Sequence, residues 1–145
     1  MKARFLRREE RSYAQSIFGK SLPLNDILIT DEVGSSIGPV EPFASPTGAH
    51  KYCLAMGKDG YASCLLIHTK AAFVHCLTHV WQRRFTPTKY RINCSKGSTY
   101  QVGQPWHDYT PEQQAQLIAD WASEGMLTGD PRASYVSNHI RIGAA

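Results

Sequence analysis

The segment from about Thr69 to Phe85 constrains the fold of this chain more than any other part of the sequence. It begins at a threonine that is a candidate N-cap, and it is largely apolar over the turns that follow. Its apolar positions are Ala71, Ala72, Val74, Leu77, Val80 and Trp81. We therefore predict a helix over this range, and its high apolar content indicates that the helix is buried.

The length and composition of the chain are those of a soluble globular protein. Its 145 residues fall within the usual size of one domain with one hydrophobic core. Hydrophobic residues make up 42% and charged residues 19% of the chain, which is too apolar for a disordered protein. We predict a single domain over residues 1–145, so that any active site lies inside it.

The net charge of +4 is concentrated in two short basic clusters, one at the start of the chain and one near its middle. No aromatic residues interleave with them as in a stacking surface, and no nucleic-acid-binding motif is present, so solvated helix faces are expected and no nucleic acid is predicted as a partner. The clusters are Lys2, Arg4, Arg7, Arg8 and Arg11, and Arg83, Arg84, Lys89 and Arg91.

The sequence predicts neither a membrane span nor a signal peptide. No run approaches the roughly 18 apolar residues that cross a bilayer, and the basic start is not followed by an apolar signal-peptide core. We therefore expect a protein that is made and kept in soluble form in the cytoplasm.

Four cysteines, Cys53, Cys64, Cys76 and Cys94, lack the CxxC spacing of zinc ribbons and thioredoxins. Free thiols are the default in a reducing cytoplasm. Cys53 and Cys64 flank a predicted turn and would face each other across a hairpin. A disulfide between them is therefore possible if the protein is exported.

The remaining elements are predicted from periodicity, turn residues and caps. Asp26 to Thr30 is typical of a short strand, and the segment from Gly34 to Gly48, rich in Gly, Ser and Pro, predicts an irregular loop. Thr110, Pro111 and Gln113 have the order of a capping box with proline at the first helical position. The other predicted elements are a helix from Leu6 to Phe18, a hairpin of Tyr52–Met56 and Tyr61–Leu66, a strand over Lys89–Cys94, a helix from Thr110 to Glu124 that ends at Gly125, and a short helix between Pro131 and Ile142.

Within the predicted central helix, His75 and His79 are four residues apart, so both imidazoles project from one face. The residues beside them, Ala71, Ala72 and Thr78, are small and would leave room for an ion. This spacing alone is compatible both with two zinc ligands and with two ordinary core or surface histidines.

Two longer segments of the sequence resemble helices of a known protein family. The segment Phe73-Val74-His75-Cys76-Leu77-Thr78-His79-Val80-Trp81-Gln82 resembles the FxHELTHVWQ helix of zincin-like metallopeptidases, in particular the small domains associated with bacterial contractile injection and type VI secretion systems. The segment that runs from Asp108 to Trp121, DYTPEQQAQLIADW, resembles their DYxPEQQAxIVxDW helix. The two blocks cover less than a quarter of the chain.

The resemblance implies a small α+β fold in which a few short strands lie beside the histidine helix, and it implies zinc as the cofactor. A catalytic zinc needs three protein ligands. Glu112 is our candidate for the third ligand, because it shares a helical stripe with three alanines and is expected to face inward. Alternatively, Glu112 only favours the helix N-terminus through the dipole. His107 and Asp108 are the alternative candidates for the third ligand, and Asp120 is expected to orient a ligand histidine.

Cys76 occupies the position of the glutamate that, in HExxH enzymes, acts as the general base. Four interpretations stay open. In the first, the protein is a natural pseudoenzyme that uses the site for binding, and in the second the thiolate serves another chemistry. In the third, the residue is an introduced inactivating change, and in the fourth the thiol packs as a small buried hydrophobe.

From these observations we predict a zinc-binding, metallopeptidase-like protein, an effector or effector-associated domain, with peptidase activity impaired or absent. The alternative is a non-catalytic adaptor of a secretion apparatus. The expected partner is a protein or peptide substrate or a component of the secretion system. The expected location is the bacterial cytoplasm, with export by a signal-peptide-independent system as the other possibility.

Overall fold

The computed structural model describes residues 2–32, 40–44, 50–93 and 97–145. Four strands and six helices follow one another in the order β1, α1, β2, β3, β4, α2, α3, α4, α5 and α6 over these residues. The strands are β1 (Ala3–Phe5), β2 (Ile27–Thr30), β3 (Val40–Ala44) and β4 (His50–Ala55). The helices are α1 (Arg8–Phe18), α2 (Gly57–Ala62), α3 (Lys70–Phe85), α4 (Pro87–Asn93), α5 (Pro111–Ser123) and α6 (Ala133–Tyr135).

The strands form one mixed sheet in the order β1-β2-β4-β3. β2 is antiparallel to β1 and parallel to β4, and β3 is antiparallel to β4 at the edge. In the central pair Ile29 lies opposite Leu54, and both are fully buried. Alternating residues of a strand point to opposite faces, so β2 supplies Ile27 and Ile29 to one side of the sheet. This sheet and the surrounding helices confirm the α+β class.

Helix α1 covers the core with Ala14, Ile17 and Phe18, which are fully buried. It begins at Arg8 and not at Leu6, and it ends before Gly19, whose φ of 60° lies in the left-handed region that glycine adopts at little cost. The helix predicted from Leu6 to Phe18 is therefore confirmed, with a later start.

Helix α3 is the central element of the core and packs mainly against α5 and α4. Phe73 and Trp81 are fully buried, in agreement with the prediction of a buried helix. Thr69 takes the N-cap position, but its hydroxyl donates to the carbonyl of Ser63 (2.9 Å) and does not cap the helix. The predicted helix is confirmed, whereas the capping role of Thr69 is wrong.

Helix α5 begins with the predicted capping box. The Thr110 hydroxyl accepts from the Gln113 amide (3.2 Å), and the Gln113 side chain accepts from the Thr110 amide (2.9 Å). Pro111 stands at the first helical position, where its missing N–H costs nothing. The helix ends at Ser123, and Gly125 follows with a φ of 105°.

The end of the chain packs back onto α1 and α3. After α6 the chain continues in a π-helical turn, Val136–Ile140, so the short helix predicted here is confirmed. The Trp81 indole N–H donates to the Ile140 carbonyl (2.9 Å), and the Arg141 guanidinium donates to the Ser16 carbonyl (2.9 Å). Ile140 is fully buried.

Three predicted elements differ from the structure. Val40–Ala44, within the predicted loop, is a strand whose Pro42 is tolerated because β3 lies at the sheet edge. Gly57–Ala62 is helical, so the predicted hairpin keeps only its first strand. Pro87–Asn93 is also helical, where a strand was predicted. Proline is tolerated at the start of this helix because the N–H that it lacks would have no partner there. Residues 33–39 and 45–49 of the predicted loop region, and Cys94, lie outside the described residues.

Because the hairpin is absent, Cys53 and Cys64 do not face each other across strands. Both are free thiols, and the Cys64 thiol donates to the Gly60 carbonyl (3.2 Å). The disulfide that the sequence left open is therefore not formed.

In the part of the chain that the structure describes, no helix is long and apolar enough to pass through a bilayer.

Candidate metal centre

Helices α3 and α5 together bring the three predicted metal ligands into one cluster. His75 and His79 lie one turn apart on α3, and their ring centroids are 4.8 Å apart. Glu112 lies in the first turn of α5, between Thr110 and Gln113, the two residues of the capping box that fixes where this helix begins. The site therefore depends on the packing of α5 against α3.

The distances suit a single metal ion. The Nε2 atom of His75 is 3.1 Å from Glu112 Oε2, and the Nε2 atom of His79 is 3.1 Å from Glu112 Oε1. One ligand atom from each residue falls within 4.8 Å of the other two. Ligand atoms of a tetrahedral zinc site lie about 3.3 Å apart when each bond is about 2.0–2.1 Å long. The three side chains therefore fit an ion with little rearrangement.

The cluster is buried on one side and accessible on the other. The His79 side chain is 2% exposed, that of His75 is 12% exposed and that of Glu112 is 24% exposed. Glu112 is therefore the most exposed of the three candidate ligands, and an ion held here would be reached from its side.

The carboxyl group of Glu112 is ionised. Burial acts to raise its pKa, but the hydrogen bonds to His75 and His79 and the charges of these rings outweigh it and hold the pKa at about 2. The site therefore offers a negatively charged ligand between two imidazoles, a donor set that suits a divalent cation.

Gln82 contacts the candidate metal cluster through His79. Its Oε1 atom accepts from the Nδ1 atom of His79 at 2.7 Å, and its Nε2 atom donates to the Pro111 carbonyl at 2.8 Å. The contact between Gln82 and His79 was not predicted from the sequence. The signal was the i, i+3 spacing of His79 and Gln82 on α3.

Cys76, which was predicted to take the general-base position, is buried in the hydrophobic core with 1% of its surface exposed. Burial and, to a smaller extent, the charge of Glu112 raise the pKa of this thiol to about 12. Without a cation beside it, the thiol is neutral at pH 7. Its surroundings match the interpretation in which Cys76 packs as a small hydrophobe.

Asp120 lies apart from the histidines. Its carboxylate accepts from the Tyr100 hydroxyl (2.7 Å) and from the Gln116 amide (2.7 Å), and within the described chain it makes no hydrogen bond to a ligand histidine. It is eight residues beyond Glu112, which is about 12 Å along a helix axis. These contacts correct the predicted orienting role, and the bond to His79 comes from Gln82 instead.

The two alternative candidates for the third ligand are also outside the cluster. The His107 side chain is largely exposed, and its nearest carboxylate is that of its neighbour Asp108, at 3.5 Å. Among the described residues, the group that could hold an ion consists of His75, His79 and Glu112.

The fold and the cluster define a small α+β domain with a two-helix, three-ligand site that could hold a metal ion. No protein-family model matches the chain, and no curated protein matches it in sequence. Among solved structures, the effector domain of VgrG2b from Pseudomonas aeruginosa is similar in fold, with a TM-score of 0.60 and 19% sequence identity. The similarity covers 91% of this chain and 81% of that chain. It shows a shared fold.

Proposed function

We propose that this protein binds zinc through His75, His79 and Glu112 on the scaffold of a zincin-type metallopeptidase, and that its peptidase activity is impaired or absent. The observation that carries the proposal is the convergence of the three ligand atoms within 4.8 Å. Two imidazoles and one carboxylate form a ligand set found in catalytic zinc sites.

Zinc at this site would act as a Lewis acid that polarises a carbonyl group. The chain itself would have to supply the group that accepts and returns the proton. Cys76 is a poor candidate because it is buried in the hydrophobic core. Loss of a general acid and base costs about a hundred- to ten-thousand-fold in rate, so weak or absent peptidase activity is expected.

The proposal places the protein with secretion-associated effectors. Two helices resemble those of metallopeptidase domains associated with type VI secretion, and the structural neighbour is described as an effector domain. The partner would then be a peptide or protein substrate or a component of the secretion system, and export would not need a signal peptide.

The first test is the metal content of the protein purified without chelators. We expect about one zinc per chain by elemental analysis. His79→Ala should abolish binding, and Cys76→Ala should keep it because this thiol lies in the core. His68→Ala is the matched control, since His68 is exposed and pairs with Asp59 away from the cluster. Native protein with no zinc, or loss of zinc in Cys76→Ala, would contradict this ligand set.

The second candidate function is a binding module without catalysis, favoured by the neutral, buried thiol at position 76. Cys76→Glu restores the family residue, with Cys76→Gln as the control of similar size that cannot act as a base. Peptidase activity that is present in Cys76→Glu and absent in Cys76→Gln would show a competent remainder of the site. If Cys76→Glu folds, binds zinc and cleaves no peptide in a mixed peptide library, the binding module is the better description.

A further inference from the structure

We propose that Gln82 is a positioning residue for His79, and that Gln82 and Gln114 form a pair of linked amides that determines which nitrogen of His79 binds the metal. The proposal rests on the proposed function, because it assigns a role toward the zinc ion. It concerns three side chains on the two ligand helices and two backbone carbonyls.

The linked amides lie entirely in the interior. Gln82 is fully buried and Gln114 is 1% exposed. The Gln82 Nε2 atom donates to the Pro111 carbonyl (2.8 Å) and to Gln114 Oε1 (3.0 Å). The Gln114 Nε2 atom donates to the Trp106 carbonyl (3.0 Å). An amide pair in this position has no water with which to exchange partners.

The direction of every bond follows from the two backbone carbonyls, which can only accept. The Trp106 carbonyl requires the NH₂ group of Gln114, so the Gln114 oxygen faces Gln82. The Pro111 carbonyl and this oxygen together require the NH₂ group of Gln82. The Gln82 oxygen must then face His79, and the Nδ1 atom of His79 at 2.7 Å must carry a hydrogen.

This assignment leaves Nε2 as the only nitrogen of His79 that can be free of hydrogen. Nε2 is the atom that faces Glu112 Oε1 at 3.1 Å, and it therefore points into the metal cluster. In the metal-free site Glu112 accepts a hydrogen bond from Nε2, so a bound ion would replace that hydrogen while Gln82 keeps the one on Nδ1. Without the Gln82 oxygen, Nδ1 would lose this acceptor, and the ring could keep its hydrogen on Nε2, the nitrogen that zinc needs.

The same amides connect the metal to the helix packing. The Pro111 carbonyl belongs to the residue directly before Glu112, so the side chain that orients His79 also holds the start of α5. Gln82 thus sets the position of one ligand and the backbone beside another. A partner in contact with a ligand histidine typically contributes about ten- to a hundredfold in metal affinity.

The test is a set of variants assayed for zinc affinity by competition with a chromogenic chelator. Gln82→Met keeps an unbranched side chain of similar length without hydrogen bonds, and we expect it to bind zinc about ten- to a hundredfold more weakly. Gln82→Glu keeps an acceptor for His79 and loses the donors to α5, so it should recover most of the affinity while lowering the melting temperature. Ser21→Ala is the control, because it removes a buried hydroxyl that lies outside both ligand helices and donates to the Phe18 carbonyl (2.8 Å), and it should leave affinity unchanged.

The second measurement is the ¹⁵N NMR signal of the His79 ring in metal-free protein at pH 7. We expect hydrogen on Nδ1 in the unmodified protein and the Nε2–H tautomer in Gln82→Met. If Gln82→Met does not fold, Gln114→Met replaces it, and about a several-fold loss of affinity is expected because the Pro111 carbonyl still holds Gln82. Unchanged affinity and unchanged Nδ1 protonation in the variant that folds would overturn the proposal. If the unmodified protein binds no zinc, the proposed function fails, and the metal-free NMR signal still decides whether the amides set the tautomer.

Discussion

Glu10 is a carboxylate in the first turn of α1 that is only 2% exposed. Its two oxygens accept from the Arg4 guanidinium at 2.7 and 2.9 Å and from the backbone N–H groups of Arg7 (2.8 Å) and Cys64 (2.9 Å). Burial acts to raise its pKa, but these hydrogen bonds and the charge of Arg4 lower the pKa to about 2. The group joins β1, α1 and the segment before α3.

This pKa shift predicts a loss of stability in acid. The folded pKa lies below the value of 4.5 for a free glutamate, so the contribution of Glu10 is complete above about pH 4.5 and is lost as the pH falls toward 2. A shift of this size corresponds to about 3 kcal/mol. Glu10→Gln should therefore be less stable than the original protein at pH 7 and show a flatter decline below pH 4.5, measured by urea unfolding at several pH values. Glu9→Gln, at the exposed neighbouring position, should retain the full acid dependence.

The cluster of candidate metal ligands was predictable from the sequence, and its supporting contacts were not. Helical spacing places His75 and His79 on one face, and the stripe of α5 turns Glu112 inward. The bond of Asp120 to Tyr100, and the bond of Gln82 to the start of α5, join residues that are 20 and 29 positions apart in the chain. Periodicity describes one element at a time. It therefore predicts which face of a helix is buried, but it does not predict which side chains from other elements contact that face.

At the scale of the element, α5 carries one metal ligand in its first turn, and its start is set by Thr110. Thr110→Ala removes the acceptor of the Gln113 amide, which should lower the free energy of unfolding by about 1 kcal/mol. Because the first turn of α5 would then fray, zinc should also dissociate faster. Thr110→Ser keeps the acceptor and should restore both the melting temperature and the zinc dissociation rate. Equal zinc dissociation from Thr110→Ala and the original protein would show that Glu112 does not depend on the cap.

The elements that the sequence missed have weak periodicity or tertiary causes. Pro42 and the glycine-rich surroundings of β3 favour a loop, and only pairing with β4 makes Val40–Ala44 a strand. Gly57 and Gly60 suggest a turn, yet α2 forms there with Gly57 at a φ of 69°. Conversely, α3 has a strongly apolar sequence and α5 has a capping box, and both were predicted to within two residues.

At the scale of the whole molecule, the last residues close the core. Ile140 is fully buried, whereas Ile142, two residues later, is 68% exposed. Ile140→Ala should cost about 2–5 kcal/mol because it leaves a cavity beside Trp81. Ile142→Ala, the same chemical change at an exposed position, should alter stability by no more than about 0.5 kcal/mol. Chemical denaturation of the two variants measures both values. If Ile140→Ala lowered the free energy of unfolding no more than Ile142→Ala does, the end of the chain would not belong to the core.

The third candidate metal ligand is far from the other two in sequence, and this has a consequence for how the molecule folds. Glu112 lies 37 residues after His75, so the ligands meet only after the intervening chain has closed into a loop. Loop closure costs entropy before any contact is gained, and a chain that has not closed offers zinc the two histidines without the carboxylate. We therefore expect a bound ion to contribute most of its stabilisation after the main barrier to folding. Interactions that form late slow unfolding and leave the folding rate almost unchanged, so zinc would lengthen the lifetime of the folded protein without speeding its formation.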